Sequence, residues 1–138
     1  MVTPVLDELE VLVRALGLVY ARQRDAILVE IEEDGERIGI AITYDEVSDT
    51  VRVAAPLDVE PLPEALSWYL EENFKSTTYK YALDYDGFVT VVYDLPRRYI
   101  RTARDLREAI VSVVSGAKRV LERVERREET EEGGETSS

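Results

Sequence analysis

Five arginines, Arg97, Arg98, Arg101, Arg104 and Arg107, fall within the twelve residues from Pro96 to Arg107 against a single Asp105, a local charge of +4. The chain as a whole carries 17 Lys+Arg and 29 Asp+Glu, a net −12. Guanidinium groups interleaved with tyrosines are the chemistry of single-stranded nucleic-acid binding: cations neutralise phosphates while aromatic rings stack bases. Tyr93, Arg97, Arg98, Tyr99, Arg101 and Arg104 are the candidates, with Lys75, Lys80, Tyr79 and Tyr81 available to extend the groove. An opposing use is equally open to the arginines, which can pair with Asp94, Asp105 and Glu108 or with a partner subunit's acids. The field of the whole molecule repels phosphate, and this favours ion pairing.

Carboxylates are the other abundant chemistry. Asp84-Tyr85-Asp86-Gly87 has the Asp-x-Asp-Gly spacing with which alternate oxygens converge on a calcium ion, but no Glu occupies the twelfth position of such a loop. An Asp-Gly hairpin turn accounts for the same residues, so no metal ligand is assigned. Glu30 to Asp34 and the group Asp45, Glu46 and Asp49 read as solvated strand edges and loops. Histidine and cysteine are both absent, which removes the imidazole base, the thiolate nucleophile, the disulfide and the zinc site together. No phosphate-binding glycine loop, nucleophile elbow or zinc-protease motif occurs, so neither an enzyme nor a cofactor is expected.

A chain of 138 residues, 45% hydrophobic and 33% charged, is one folded domain's worth with a densely charged surface. No apolar run approaches the ~20 residues that cross a bilayer, and Met1 to Leu12 lacks a basic stretch followed by an apolar one. No membrane association is expected, and the cytoplasm is the expected compartment. Asn73 and Gln23 are the only side-chain amides, while Arg, Glu and Val are plentiful, a balance that thermophile proteins share.

These residues need elements to position them. Thr3-Pro4 opens a helix over about 4–16, with Val5, Leu6, Leu9, Leu12, Val13 and Leu16 as its apolar stripe and Gly17 at the end. The period then drops to two: Ile27, Val29 and Ile31 precede Asp34-Gly35, and Ile38, Ile40, Ile42 and Tyr44 follow it. A third strand through Val51, Val53 and Ala55 is expected to stop at Pro56. Pro63 begins a second helix to about Phe74, with Leu62, Ala65, Leu66, Tyr69, Leu70 and Asn73 on one face and Trp68 turned away. On that face Asn73 is expected to hydrogen-bond the helix end or the start of the next strand. A second hairpin, Thr77 to Asp84 and Phe88 to Asp94, turns at Asp86-Gly87. Thr102 and Asp105 form a capping box for a last helix over about 103–127, in which Ile110, Val113, Ala117, Val120 and Val124 step by three and four. The domain is therefore expected over 1–127, and residues 128–138, with five Glu and no apolar side chain, read as a disordered acidic tail.

The order of these elements and the residues at their joins resemble the YbjN family, within the type III secretion chaperone-like fold of the Tir chaperone (CesT) group. Leu66 to Asn73 leads through Tyr79-Lys80-Tyr81-Ala82-Leu83-Asp84-Tyr85-Asp86-Gly87-Phe88 to Val91-Val92-Tyr93-Asp94-Leu95-Pro96: a helix ending in Asn, an aromatic strand, an acidic turn, and a strand closing in Leu-Pro. The likeness extends over about residues 4–125. It implies a two-layer α+β protein with a five-stranded, mainly antiparallel sheet in the order α-β-β-β-α-β-β-α, one that commonly dimerises and binds other polypeptides without catalysis. The basic approach to the last helix and the glutamate-rich end depart from the pattern.

The expected function is a non-enzymatic, chaperone-like or regulatory homodimer that holds a protein or extended peptide partner on Trp68, Tyr79 and Tyr81. Its subunit contact would use Ile110, Val113, Ala117, Val120 and Val124. Single-stranded nucleic acid at the Arg/Tyr segment 93–107 is the alternative.

Overall fold

A computed structural model of the chain describes the backbone of residues 4–136 and the side chains of residues 4–124. Helix α1 (Val5–Ala15) is followed by strands β1 (Val19–Arg22), β2 (Ile27–Glu33), β3 (Glu36–Asp45) and β4 (Thr50–Val59). A 3₁₀ turn over Pro63–Ala65 leads into α2 (Leu66–Lys75), then β5 (Lys80–Leu83), β6 (Val89–Pro96), a second 3₁₀ turn over Arg97–Tyr99, and α3 (Ala103–Thr136). The six strands form one sheet in the order β1-β2-β3-β4-β6-β5, and every neighbouring pair is antiparallel.

The sheet therefore has six strands and not five. The extra one, β1, is four residues long, too short for alternation to register, and its Arg22 turns toward α1 to pair with Asp7 at 2.8 Å and Glu10 at 3.1 Å. β4 also runs past Pro56, which sits opposite Thr90, and resumes at Val59 opposite Val89 after a bulge. Asp58 takes a positive φ in that bulge, so the irregular ladder absorbs the residue that has no N–H. Between β2 and β3, Asp34 and Gly35 both have positive φ, the requirement of a type I′ turn.

Alternation puts Ile27, Val29, Ile38, Ile40, Ile42, Val51, Val53, Val89 and Val91 on one face, where α1 supplies Leu9 and Val13, and α3 supplies Leu106, Ile110, Val113 and Ala117. Each such side chain contributes on the order of 1.5–3 kcal/mol by leaving water. The capping box at α3 is reciprocal: the Asp105 N–H donates to Thr102 Oγ1 at 3.2 Å, and the Thr102 N–H donates to the Asp105 carboxylate at 3.1 Å. The backbone N–H groups of Arg101 and Thr102 hold the Asp105 carboxyl below its ordinary range. At its far end α3 continues past 127, where an unstructured tail was expected. Glu and Arg propagate a nucleated helix well, and only 137–138 of that expected tail lie outside the described residues.

Candidate functional site

The arginine segment does not assemble into one groove. Arg97 reaches across to Glu8 on α1, donates to the Ile100 carbonyl at 3.1 Å, and is anchored by its own N–H to the Asp49 carbonyl. Its Nε is buried without a hydrogen-bond partner among the described residues. Arg98 lies over the Tyr99 ring at 5.0 Å, Arg101 donates to the Arg98 carbonyl at 3.3 Å, and Arg104 pairs with Glu108 at 3.3 Å. Tyr93 packs against the core, and Asp94 is taken bidentately by Arg52 at 2.8 and 2.9 Å.

Trp68, Tyr79 and Tyr81 do come together, and Tyr69 joins them. Ring centroids lie 5.1 Å apart for Trp68 and Tyr69, 5.6 Å for Trp68 and Tyr81, 5.3 Å for Tyr69 and Tyr81, and 5.6 Å for Tyr79 and Tyr81. The cluster is mortar between α2, β5 and α3. Tyr81 is only 7% exposed, and its hydroxyl donates to the Gly116 carbonyl of α3 at 2.8 Å. A Cβ on Gly116 would fall 2.7 Å from the Tyr79 ring and 2.9 Å from Val91, so glycine is what lets α3 approach this closely. Burial pushes the Tyr81 phenol well above its ordinary range. Trp68 is half-buried under Arg123, whose guanidinium lies 4.8 Å from the ring centre. Expected as a partner surface, these aromatics are a packing joint.

The face of α2 is accordingly rotated from the sequence reading. Ala65 and Glu72 are buried and Trp68 and Tyr69 pack on the core, while Leu66 and Leu70 face outward. Glu72 is satisfied by Arg119 of α3 at 2.7 Å, an ion pair that no helical periodicity displays. The α3 seam, read as core first and subunit contact second, is occupied by the chain's own sheet: Ile110, Val113, Ala117 and Val120 are buried in the protomer, and Val124 packs against the same core. The seam was wide because sheet and α1 both needed it.

Among the exposed apolar side chains is a stripe no sequence argument isolated. Leu66, Leu70 and Phe74 recur every four residues on the outer side of α2 and are 51%, 71% and 92% exposed; Leu83 of β5 beside them is 59% exposed. Between helix and strand lies a crevice of about 240 Å³, lined by Pro61, Tyr69, Leu70, Leu83 and Val89. Leu66 and Leu70 of this stripe were expected on the core-facing side of the helix, and Phe74 only at its end.

Asn73 closes the sheet beside this stripe. Its Oδ1 accepts from the Tyr81 N–H at 2.7 Å and its Nδ2 donates to the Tyr81 carbonyl at 3.1 Å, so one side chain pairs with the outer edge of β5 as a neighbouring strand would. Lys80 donates to the Asn73 and Ser76 carbonyls, satisfying the end of α2. Asp84 forms the second hairpin turn, accepting from the N–H groups of Asp86 and Phe88 at 3.0 Å, with Gly87 at positive φ. Among the described residues no three His, Cys, Asp or Glu are placed to hold a metal ion, and no helix is long and apolar enough to cross a membrane.

An antiparallel sheet backed by α1 and α3, with α2 folded against its β5 edge, defines a two-layer α+β protein of the chaperone-like fold class. Two solved structures share this fold in particular. YbjN from E. coli, described as a candidate transcription regulator, superposes with a TM-score of 0.67 at 21% identity, over 92% of this chain and 96% of that one. A chain of the HopA1–SchA chaperone–effector complex superposes with a TM-score of 0.59 at 13% identity, over 83% of this chain and 91% of that one. Comparison with family models and with curated protein sequences gives no match.

Proposed function

We propose that this chain is a non-enzymatic, protein-binding domain of chaperone-like or regulatory type that works in the cytoplasm as a homodimer. The observation that carries the reading is the stripe Leu66, Leu70, Phe74 with Leu83, four large apolar side chains left in water on one side of the molecule. Monomeric proteins seldom leave such a stripe uncovered. The likeness to a chain of a chaperone–effector complex supports a polypeptide as the thing that is bound.

The stripe is self-complementary. Two α2 helices crossing antiparallel about Leu70 set Leu70 against its own copy and Leu66 against Phe74. The nucleic-acid alternative has less support, because Arg97 and Arg104 are engaged with acids of the chain itself and Arg98 and Arg101 with neighbouring groups of their own segment. The test is sedimentation equilibrium of the native chain and of Leu70→Glu. Native protein is expected as a dimer. The variant, which opposes two carboxylates at the centre of the contact and forfeits roughly 2–4 kcal/mol of association, is expected as a folded monomer. A native monomer, or a dimer undisturbed by Leu70→Glu, overturns the proposed contact.

A further inference from the structure

Phe74 is the most exposed member of the α2 stripe, 92% in water, and the backbone that presents it is held in place. It is the penultimate residue of α2, and Lys80 ties that end of the helix down by donating to the Asn73 and Ser76 carbonyls on either side of it. A ring carried on an ordered backbone loses little freedom when another surface closes over it.

The crevice beside the stripe has the complementary shape. Its volume of about 240 Å³ leaves room for a phenyl ring, since a closed apolar cavity of about 150 Å³ holds benzene. Pro61, Leu66, Leu70, Leu83 and Val89 wall it, and no charged residue lines it. Of its polar groups, the Asn73 amide and the Tyr81 hydroxyl are spent on partners within the chain. An apolar occupant is what such walls select.

Knob and hole lie on one surface at matched spacing. Leu66, on the crevice wall, comes four residues before Leu70, and Phe74 comes four after it. A two-fold axis through Leu70 therefore carries the Phe74 of each copy to the Leu66 end of the other's crevice. A ridge that recurs every four residues packs into the groove adjoining its counterpart and not on top of it, and on the β5 side of α2 that groove is the crevice. The area is sufficient as well. Leu66, Leu70, Phe74 and Leu83 leave roughly 500 Å² of apolar surface in water, and the ~1,000 Å² of a pair reaches the threshold of a specific interface. Any other partner would need both a knob for the crevice and a hole for Phe74; a second copy brings both.

We infer that the crevice between α2 and β5 is a socket for Phe74 of a second copy, so that two reciprocal plugs lock the homodimer on either side of Leu70. The inference rests on the homodimer reading and adds the feature by which one copy recognises the other.

Two variants at exposed positions separate a plug from a patch. Phe74→Ala removes the plug and keeps the socket, whereas Leu83→Glu keeps the plug and sets a charge at the socket's mouth. Association constants come from sedimentation equilibrium of each full-length variant and of their equimolar mixture, with circular dichroism as the check on folding. Each plug is expected to contribute about tenfold, so either variant alone, with both plugged sockets lost, dimerises about a hundredfold more weakly than the native chain. The mixture regains one, Phe74 of the Leu83→Glu copy in the socket of the Phe74→Ala copy, and its heterodimer is expected to be about tenfold tighter than either homodimer. A featureless apolar patch gives a mixed dimer of intermediate strength; that result overturns the plug while the homodimer stands. A native dimer unaffected by Phe74→Ala overturns it too, and a native monomer overturns plug and homodimer together.

Discussion

Replacing Asn73 by Ala removes two hydrogen bonds at once, at 2.7 and 3.1 Å, and both belong to the backbone of one residue, Tyr81. Each intramolecular hydrogen bond contributes about 1 kcal/mol net, and a half-buried N–H or C=O left without a partner adds part of its desolvation cost. The sum is about 2–3 kcal/mol, which for a chain of 138 residues lowers the melting temperature by roughly 10 °C. Asn73→Asp separates the two bonds, because a carboxylate still accepts from the Tyr81 N–H but cannot donate to its carbonyl; about half the loss is expected. Urea denaturation followed by circular dichroism gives the free energies, and amide hydrogen exchange at Tyr81 reports the edge directly. If Asn73→Ala lies within about 0.5 kcal/mol of the native chain, or leaves exchange at Tyr81 unchanged, then α2 does not close the edge of β5 and the account of this joint is wrong.

Gly116→Ala forces a methyl group to within 2.7 Å of the Tyr79 ring and 2.9 Å of Val91; overpacking of about 1–3 kcal/mol exceeds what alanine gains in helix propensity, and denaturation should show a net loss. Tyr81 has its phenol pKa raised by burial, so its contribution to stability is complete below pH ~10 and is lost as pH rises further, because the unfolded chain releases a proton that the folded one keeps. Tyr81→Phe is expected to reduce the steepness of that alkaline loss by about 1.4 kcal/mol per pH unit, measured by denaturation between pH 9 and 11; an unchanged slope would place the titration elsewhere.

Much of this architecture is written in period and punctuation. The alternation of Ile27 to Tyr44 around Asp34-Gly35, the Thr102–Asp105 cap and the hairpin at Asp86-Gly87 depend on neighbours within a few residues, and these stand as read. Asn73 at the start of the next strand stands too, since an amide at a helix end has few other partners. What sequence could not display was decided by distant groups. The rotation of α2 depends on Tyr81 and Arg119, and each offers Trp68 and Glu72 a better home than Leu66 or Leu70 would find. Strand β1 pairs with β2 over four residues, too few to show alternation, and Arg22 and Tyr20 tie it to Glu10 of α1. Aromatic and arginine side chains bond well, and this chain engages many of those read as site residues with its own groups.

The sheet order carries a consequence for how the chain is made. β6 lies between β4 and β5, yet it begins at Val89, thirty positions after β4 ends at Val59. A chain emerging from the ribosome therefore completes its first four strands with the β4 edge bare, and α2 and β5 must be synthesised before that edge gains its neighbour. Bare edges are templates for pairing with other chains. The interval of greatest danger for this protein falls during its own synthesis, and it ends when the strand closing in Leu95-Pro96 slots into the middle of the sheet.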